Sequence, residues 1–210
     1  MKIAVALFDG VTALDAVGPY EVLQRLPDAT VHFVGRSRGE VRTDNGFLGL
    51  MIDAPYHELE DPDIVLVPGG IGTRELVRDS ATLDWVRHAH ATSRYTTSVC
   101  TGSLVLGAAG LLDGLAATTH FSAMPLLSKY GARPSSQRVV QEGKVITAAG
   151  VSSGIDMALR LAELLSDETT AKALQLMIEY DPQPPHDAGT LQRVDASVLA
   201  RVQELAQMKS

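Results

Sequence analysis

The run KIAVALF, residues 2–8, is apolar throughout after its lysine, with none of the polar alternation of a half-solvated strand. A strand of that kind has to be covered on both faces, which is the condition of a parallel sheet held between helices. TVHFVGR, DIVLVPGG, RYTTSVC, AATTHF and KVITAAG read as further strands. Helical segments alternate with them: one after the Asp9-Gly10 turn, entering around Gly18-Pro19 with the proline near its first turn, then TREL, SLVLGAAGLL, GIDMALRLAELLS and ETTAKALQLMIEY. EVRTDNGFLGLMIDAPYH carries an Asp44-Asn45-Gly46 turn signal and reads as a hairpin excursion. DPQPPHDAG is extended, and a polar–apolar segment from Ala196 to Met208 follows. There is no internal repeat and no interdomain linker, so residues 1–210 are expected to form a single domain. The expected class is α/β, a three-layer sandwich with a mostly parallel central sheet. Ligands in such sheets bind at the carboxyl ends of strands, where Asp9–Asp15, Pro68–Gly72 and Cys100 fall.

Composition narrows the function classes. The net charge is −7 and no Lys/Arg run occurs, which argues against nucleic acid as a partner. No stretch approaches the roughly 18 apolar residues of a membrane span, and the N-terminus lacks a signal-peptide pattern, so a cytoplasmic protein that engages no membrane is expected. One cysteine in 210 residues cannot make an internal disulfide, and no Cys/His spacing resembles a zinc site, so no metal is expected.

That cysteine, Cys100, follows a β-branched strand and precedes an apolar helix, with Ser98 two residues before it and Gly102 two after. Small residues on both sides of a strand-to-helix junction mark a nucleophile elbow, because a sharp turn crowds the flanking side chains. The alternative is a small buried hydrophobe, which an elbow serves poorly. A sulfur at a helix N-terminus is expected to favour the thiolate, with the following N–H as an oxyanion donor. Gly69 and Gly70 after a strand supply a possible second donor or a plain tight turn; no phosphate loop is present. Asp15, near the end of the first strand, is a candidate proton-transfer group, or else a helix N-cap or surface acid. Glu21 reads as solvated. His120 is a packed strand histidine or a base. His32, His57, His88 and His90 read as surface, and His186 as structural.

LFDGVTALDAVGP, VPGGIGTREL, TSVCTGSLVLGAAGLLDGLAATTH, GIDMAL and DPQPPHDAG together resemble the ThiJ/PfpI superfamily, from Lys2 to about Gly189, and within it the bacterial isonitrile hydratases. The resemblance implies a flavodoxin-like fold, a homodimer, and hydration of an isonitrile to an N-substituted formamide without cofactor. It implies Cys100 as nucleophile attacking through a thioimidate and Asp15 as acid/base. Thr101 and Gly70 would lie beside the sulfur, and Ile71, Phe121 and Val151 would line the pocket for the substrate's R group. Relatives with Cys-His chemistry place His directly after Cys, where this chain has Thr101. The hydratases carry Gly-Gly-Gly-Ile where this chain has Ala148, Ala149, Gly150 and Val151, so a tighter helix or pocket is expected. The competing expectation is a non-catalytic or redox-sensing domain like those of AraC-type regulators. Their DNA-binding segment has no counterpart in a sequence that stops at Ser210. A fourth expectation is a superfamily enzyme acting on small aldehydes.

Overall fold

The computed structural model describes residues 1–208. By its internal packing the chain divides into two compact units, Met1–Ile178 and a segment from Glu179 onward. In chain order the first unit contains β1 (Lys2–Ala6), α1 (Ala13–Leu23), β2 (Thr30–Gly35), β3 (Gly39–Arg42), β4 (Gly49–Ile52), β5 (Ala54–Pro55) and β6 (Ile64–Val67). It continues with α2 (Thr73–Leu76), α3 (Ser80–Thr92), β7 (Tyr95–Val99), α4 (Gly102–Ala108), β8 (Ala116–Ala117), α5 (Met124–Leu127) and β9 (Arg133–Pro134). It ends with β10 (Val139–Glu142), β11 (Val145–Ala148), α6 (Ser153–Leu165) and α7 (Glu168–Met177). The second unit, taken by itself, is irregular through the Pro-rich stretch and then forms α8 (Ala196–Gln207), capped by the Asp195 carboxylate.

The central sheet has seven strands in the order β10-β11-β7-β6-β1-β2-β5. All neighbours are parallel except β10 and β11, a hairpin that adds an antiparallel edge strand. The uninterrupted apolar runs follow from burial on both faces. In β1, Ile3 and Val5 point into a core with α1, α6 and α7, while Ala4 and Ala6 point into a second core with α3, α4 and α5. Ile64 and Leu66 of β6 join the first core, and Val65 and Val67 the second. Burying a Val, Leu or Ile side chain is worth about 1.5–3 kcal/mol, so this two-sided pattern leaves little freedom in register. The strand order reverses between β1 and β6, the crevice where such sheets bind ligands.

Three local expectations are corrected. The first helix begins at Ala13, not near Pro19, and Pro19 lies inside it. Its ring nitrogen has no hydrogen for the Asp15 carbonyl one turn back. The helix tolerates this because it packs against α6: a Cβ on Gly18 would lie 3.1 Å from Ile155, and one on Gly154 would lie 3.0 Å from the Pro19 ring. AATTHF is not a sheet strand. Only Ala116–Ala117 pair, with β9, because the backbone that follows bonds elsewhere: the Thr118 N–H donates to Thr147 Oγ1 at 2.9 Å. His90 is not a surface group, since its Nδ1 meets Thr96 Oγ1 at 2.9 Å and burial lowers its pKa, with Lys144 nearby adding to the shift. The β3–β4 hairpin is present as expected, and α1 is linked to it by the Thr12 hydroxyl, which donates to Asp44.

Candidate active site

β7 ends at Val99 and α4 begins at Gly102, so Cys100 occupies the corner between them. Its backbone is left-handed, at φ +56°. For an L-residue with a Cβ that costs on the order of 1–2 kcal/mol. Among the described residues two other non-glycine residues have positive φ, Asp28 and Glu179, and both are exposed, whereas Cys100 is buried. The corner is sharp because α4 runs back against β6: a Cβ on Gly102 would come within 2.0 Å of the Val67 carbonyl oxygen. That contact is the physical content of the small-residue spacing. The Cys100 N–H donates to the Ala148 carbonyl at 3.0 Å, which ties the corner to β11.

Asp15 lies in the first turn of α1 and is fully buried, so it is neither the helix cap, a place Thr12 holds, nor a surface acid. Its Oδ2 accepts the Gly69 N–H at 2.9 Å, and the Cys100 side chain lies close enough to act on its pKa. Its Oδ1 is buried without a protein partner. Burial raises the Asp15 pKa to about 7 against the lowering effect of the Gly69 N–H and the Cys100 side chain. The thiol moves the same way. Burial, then the negative charge of Asp15, push Cys100 up to about 12 against the lowering effect of the Thr101 N–H and side chain. The expectation of a thiolate at rest is therefore corrected: one short helix terminus does not offset desolvation next to a carboxylate. The pair holds one proton above pH 7, shared between sulfur and carboxyl.

Thr101 and Gly70 meet as expected. The Gly70 N–H donates to Thr101 Oγ1 at 3.0 Å, and the Thr101 hydroxyl lies 3.2 Å from the Gly70 carbonyl. Gly70 itself is at φ +133°, and a Cβ there would strike the Gly10 carbonyl at 2.2 Å. Ile71 is half exposed, at 51%, on the same turn. Phe121 is 42% exposed and its ring lies 4.4 Å from that of His120. His120 Nδ1 is bound to the Ser122 hydroxyl, and burial lowers its pKa. Val151 is half-buried at the start of α6 and packs on the core that contains Cys100. Ala148 is fully buried, with its carbonyl engaged by Cys100.

Of four further residues here, one is marked in the sequence and three are not. Gly69 brings its amide against Asp15, and a Cβ there would sit 2.5 Å from the Thr101 nitrogen. The Thr73 hydroxyl is 3.1 Å from Thr101 Oγ1 and 2.8 Å from the Gly70 carbonyl. Ser103 and Thr119 both donate to the Cys100 carbonyl. The Gly-Gly pair was a signal for the first; isolated hydroxyls give none. A separate cleft of about 430 Å³ lies over the ends of β1 and β2, lined by Leu7, Phe8, Arg36, Tyr56, Glu75 and Asp79, and contains none of these groups. Among the described residues no group of three or more His, Cys, Asp or Glu side chains is placed to hold a metal ion, and no helix is long and apolar enough to cross a membrane.

Comparison with known proteins supplies the context. A model of the DJ-1/PfpI family matches residues 1–164. An isonitrile hydratase from Pseudomonas putida is 43% identical over 206 residues, 98% of this chain and 90% of that protein. The crystal structure of a ThiJ/PfpI family protein from Pseudomonas syringae superposes with a TM-score of 0.93 at 38% identity, covering 99% of this chain and 87% of the other. A transcriptional regulator of Pseudomonas aeruginosa, CdhR, of the helix-turn-helix type, is 30% identical over 62% of this chain, which spans 39% of that protein.

Proposed function

The chain belongs to the DJ-1/PfpI family, and from that premise we propose that it is an isonitrile hydratase in which Cys100 is the nucleophile and Asp15 the acid/base. The observation that carries the reading is the buried pair itself, a thiol beside a carboxyl whose pKa stands at about 7. The relationship to the Pseudomonas putida hydratase supports the substrate class.

The Asp15 carboxylate takes the thiol proton as sulfur attacks the terminal carbon of R–N≡C, and returns that proton to the same carbon, giving the thioimidate R–N=CH–S–Cys100. Asp15 next takes a proton from water as its oxygen adds to that carbon, and the proton passes to nitrogen. The tetrahedral adduct then breaks its C–S bond, the hydroxyl proton returns through Asp15 to sulfur, and R–NH–CHO leaves. Every proton is accounted for by the substrate, one water and the shared pair, so the scheme needs no cofactor. A carboxyl of pKa about 7 suits both halves of the cycle, because it gives and takes protons with little penalty near neutrality. Thr101 and Gly70 would border the reacting carbon, and Ile71, Phe121 and Val151 the R group. A thiol held protonated reacts slowly with peroxide, which ranks the redox-sensing alternative below the enzyme.

The test is turnover of p-nitrophenyl isocyanide by the purified protein, with formamide product followed directly. The expected kcat/KM is half-maximal near pH 7, falls about tenfold per unit below it as Asp15 takes up a proton, and is level above it. No turnover of aryl or alkyl isonitriles by the folded protein removes the hydratase reading. A profile flat from about pH 5 to about pH 8 removes Asp15 as the base.

The homodimer implied by the family likeness is part of the same proposal. Phe47 and Leu48 at the tip of the β3–β4 hairpin are 87% and 48% exposed, and the hairpin is tied to the segment leading into α1. We read this apolar tip as a contact between two copies. Sedimentation is expected to give the dimer mass for the parent and the monomer mass for Phe47→Glu; a parent that sediments as a monomer refutes the contact.

A further inference from the structure

The peptide joining Cys100 to Thr101 is held from both ends. On one side the Cys100 carbonyl oxygen accepts two side-chain hydroxyls, Thr119 Oγ1 at 2.9 Å and Ser103 Oγ at 3.1 Å. Both residues are fully buried. On the other side the Thr101 N–H lies next to the Cys100 sulfur and lowers its pKa. A trans peptide sets its C=O and N–H in opposite directions, so fixing the oxygen aims the N–H. One donor would satisfy a buried carbonyl; here both lone pairs are filled, by side chains that reach it from α4 and from the irregular segment after β8.

We propose that Ser103 and Thr119 are positioning residues for the nucleophile: together they hold the left-handed Cys100 peptide in place, aim the Thr101 N–H at the sulfur and strengthen that N–H as a donor. The first part follows from the backbone. A residue with a Cβ at φ +56° has a narrow allowed range of ψ, and the two hydroxyl bonds to the Cys100 carbonyl fix that ψ. Rotating that peptide would break both hydroxyl bonds and swing the N–H off sulfur. It would also shift Thr101, whose hydroxyl meets Gly70. The second part follows from polarisation. Hydroxyls donating to a carbonyl draw charge across the amide, so the N–H at its other end becomes a better donor to a thiolate. Asp15 and Thr101 touch the sulfur directly, whereas Ser103 and Thr119 act through one peptide.

The effect on sulfur can be read without any assumption about the substrate, whereas the effect on turnover rests on the hydratase reading. Thr119→Val keeps shape and removes the hydroxyl, Thr119→Ser keeps the hydroxyl, and Ser103→Ala removes the other donor. Second-order alkylation of Cys100 by iodoacetamide is measured against pH for each, beside the melting temperature. Thr119→Val and Ser103→Ala are each expected to slow alkylation near neutrality roughly three- to tenfold, the span set by losing one buried hydrogen bond, and to move its rise to higher pH. Thr119→Ser is expected to stay within about twofold of the parent. With an isonitrile, kcat should fall by the same factor while KM holds, because the bond acts on the nucleophile and not on substrate binding. Alkylation of both hydroxyl-deleted proteins at the parental rate overturns the proposal. So does a loss in Thr119→Ser equal to that in Thr119→Val, which would trace the effect to packing of the methyl group. Should Thr119→Val fail to fold, Ser103→Ala and Thr119→Ser decide the matter on the same readouts. A parent that alkylates but turns over no isonitrile refutes the hydratase reading and leaves the alkylation comparison intact.

Discussion

Asp15→Asn is expected to lose activity and gain stability in the same protein. Turnover should fall on the order of 10³-fold, since the amide can neither take the thiol proton nor return it. Stability should move the other way, with a pH dependence that identifies the cause. The Asp15 carboxyl has an ordinary value of 3.8 and a folded value of about 7, raised chiefly by burial. An unfolded chain therefore sheds this proton from about pH 4 upward, while the folded chain keeps it until near pH 7. Between those values stability drains away as pH rises, and above about pH 7 the whole penalty is present, with a ceiling of about 4 kcal/mol at 1.36 kcal/mol per unit. Asparagine never ionises, and its carbonyl can still accept the Gly69 N–H. The variant should match the parent at about pH 4 and unfold at a higher denaturant concentration at about pH 8. A variant less stable than the parent at the higher pH would show that the carboxylate is well accommodated, and would remove the raised pKa from the argument.

Cys100→Ser is expected to abolish turnover, by at least about 10⁴-fold, with little change in fold. The hydroxyl can occupy the same corner, accept the Thr101 N–H and bond to Asp15. It cannot be deprotonated by a carboxyl of pKa about 7 to any useful extent, and oxygen lacks the nucleophilicity of sulfur. Mass spectrometry during turnover should find the parent heavier by one substrate molecule, as the thioimidate requires, and the serine variant unmodified. Turnover by Cys100→Ser within tenfold of the parent would take the sulfur out of the reaction.

The parts of this molecule legible in its sequence are those enforced by repeated contacts. The uninterrupted run of β1 announces a strand covered twice, and Ser98 and Gly102 around Cys100 announce a corner with no room, which the Val67 carbonyl then occupies. Pro19 misled because a proline usually opens a helix, and only the close crossing of α6 at Gly18 and Gly154 accounts for one in the middle. The direction of the thiol pKa is not legible in the sequence, because a helix terminus shows there while the depth of a sulfur, and the carboxyl it meets, do not. Thr119 and Ser103 are silent in the sequence for a similar reason. A hydroxyl bound to one carbonyl leaves no periodicity, and Thr119 sits in a stretch that looks like a strand and pairs only at Ala116–Ala117.

The bond from the Cys100 amide to Ala148 bears on how the protein is made. Asp15, Thr119 and Ala148 reach the sulfur or its peptide from three separate stretches of chain, and the last belongs to β11, which must pair with β7 before the corner is complete. Parallel pairing of distant strands is a late event in folding. A ribosome releasing this chain from its N-terminus therefore exposes an ordinary, solvent-titrating thiol first and encloses it only after β11 has emerged. Newly made molecules pass through a window in which the cysteine is open to solvent, before burial beside Asp15 raises its pKa.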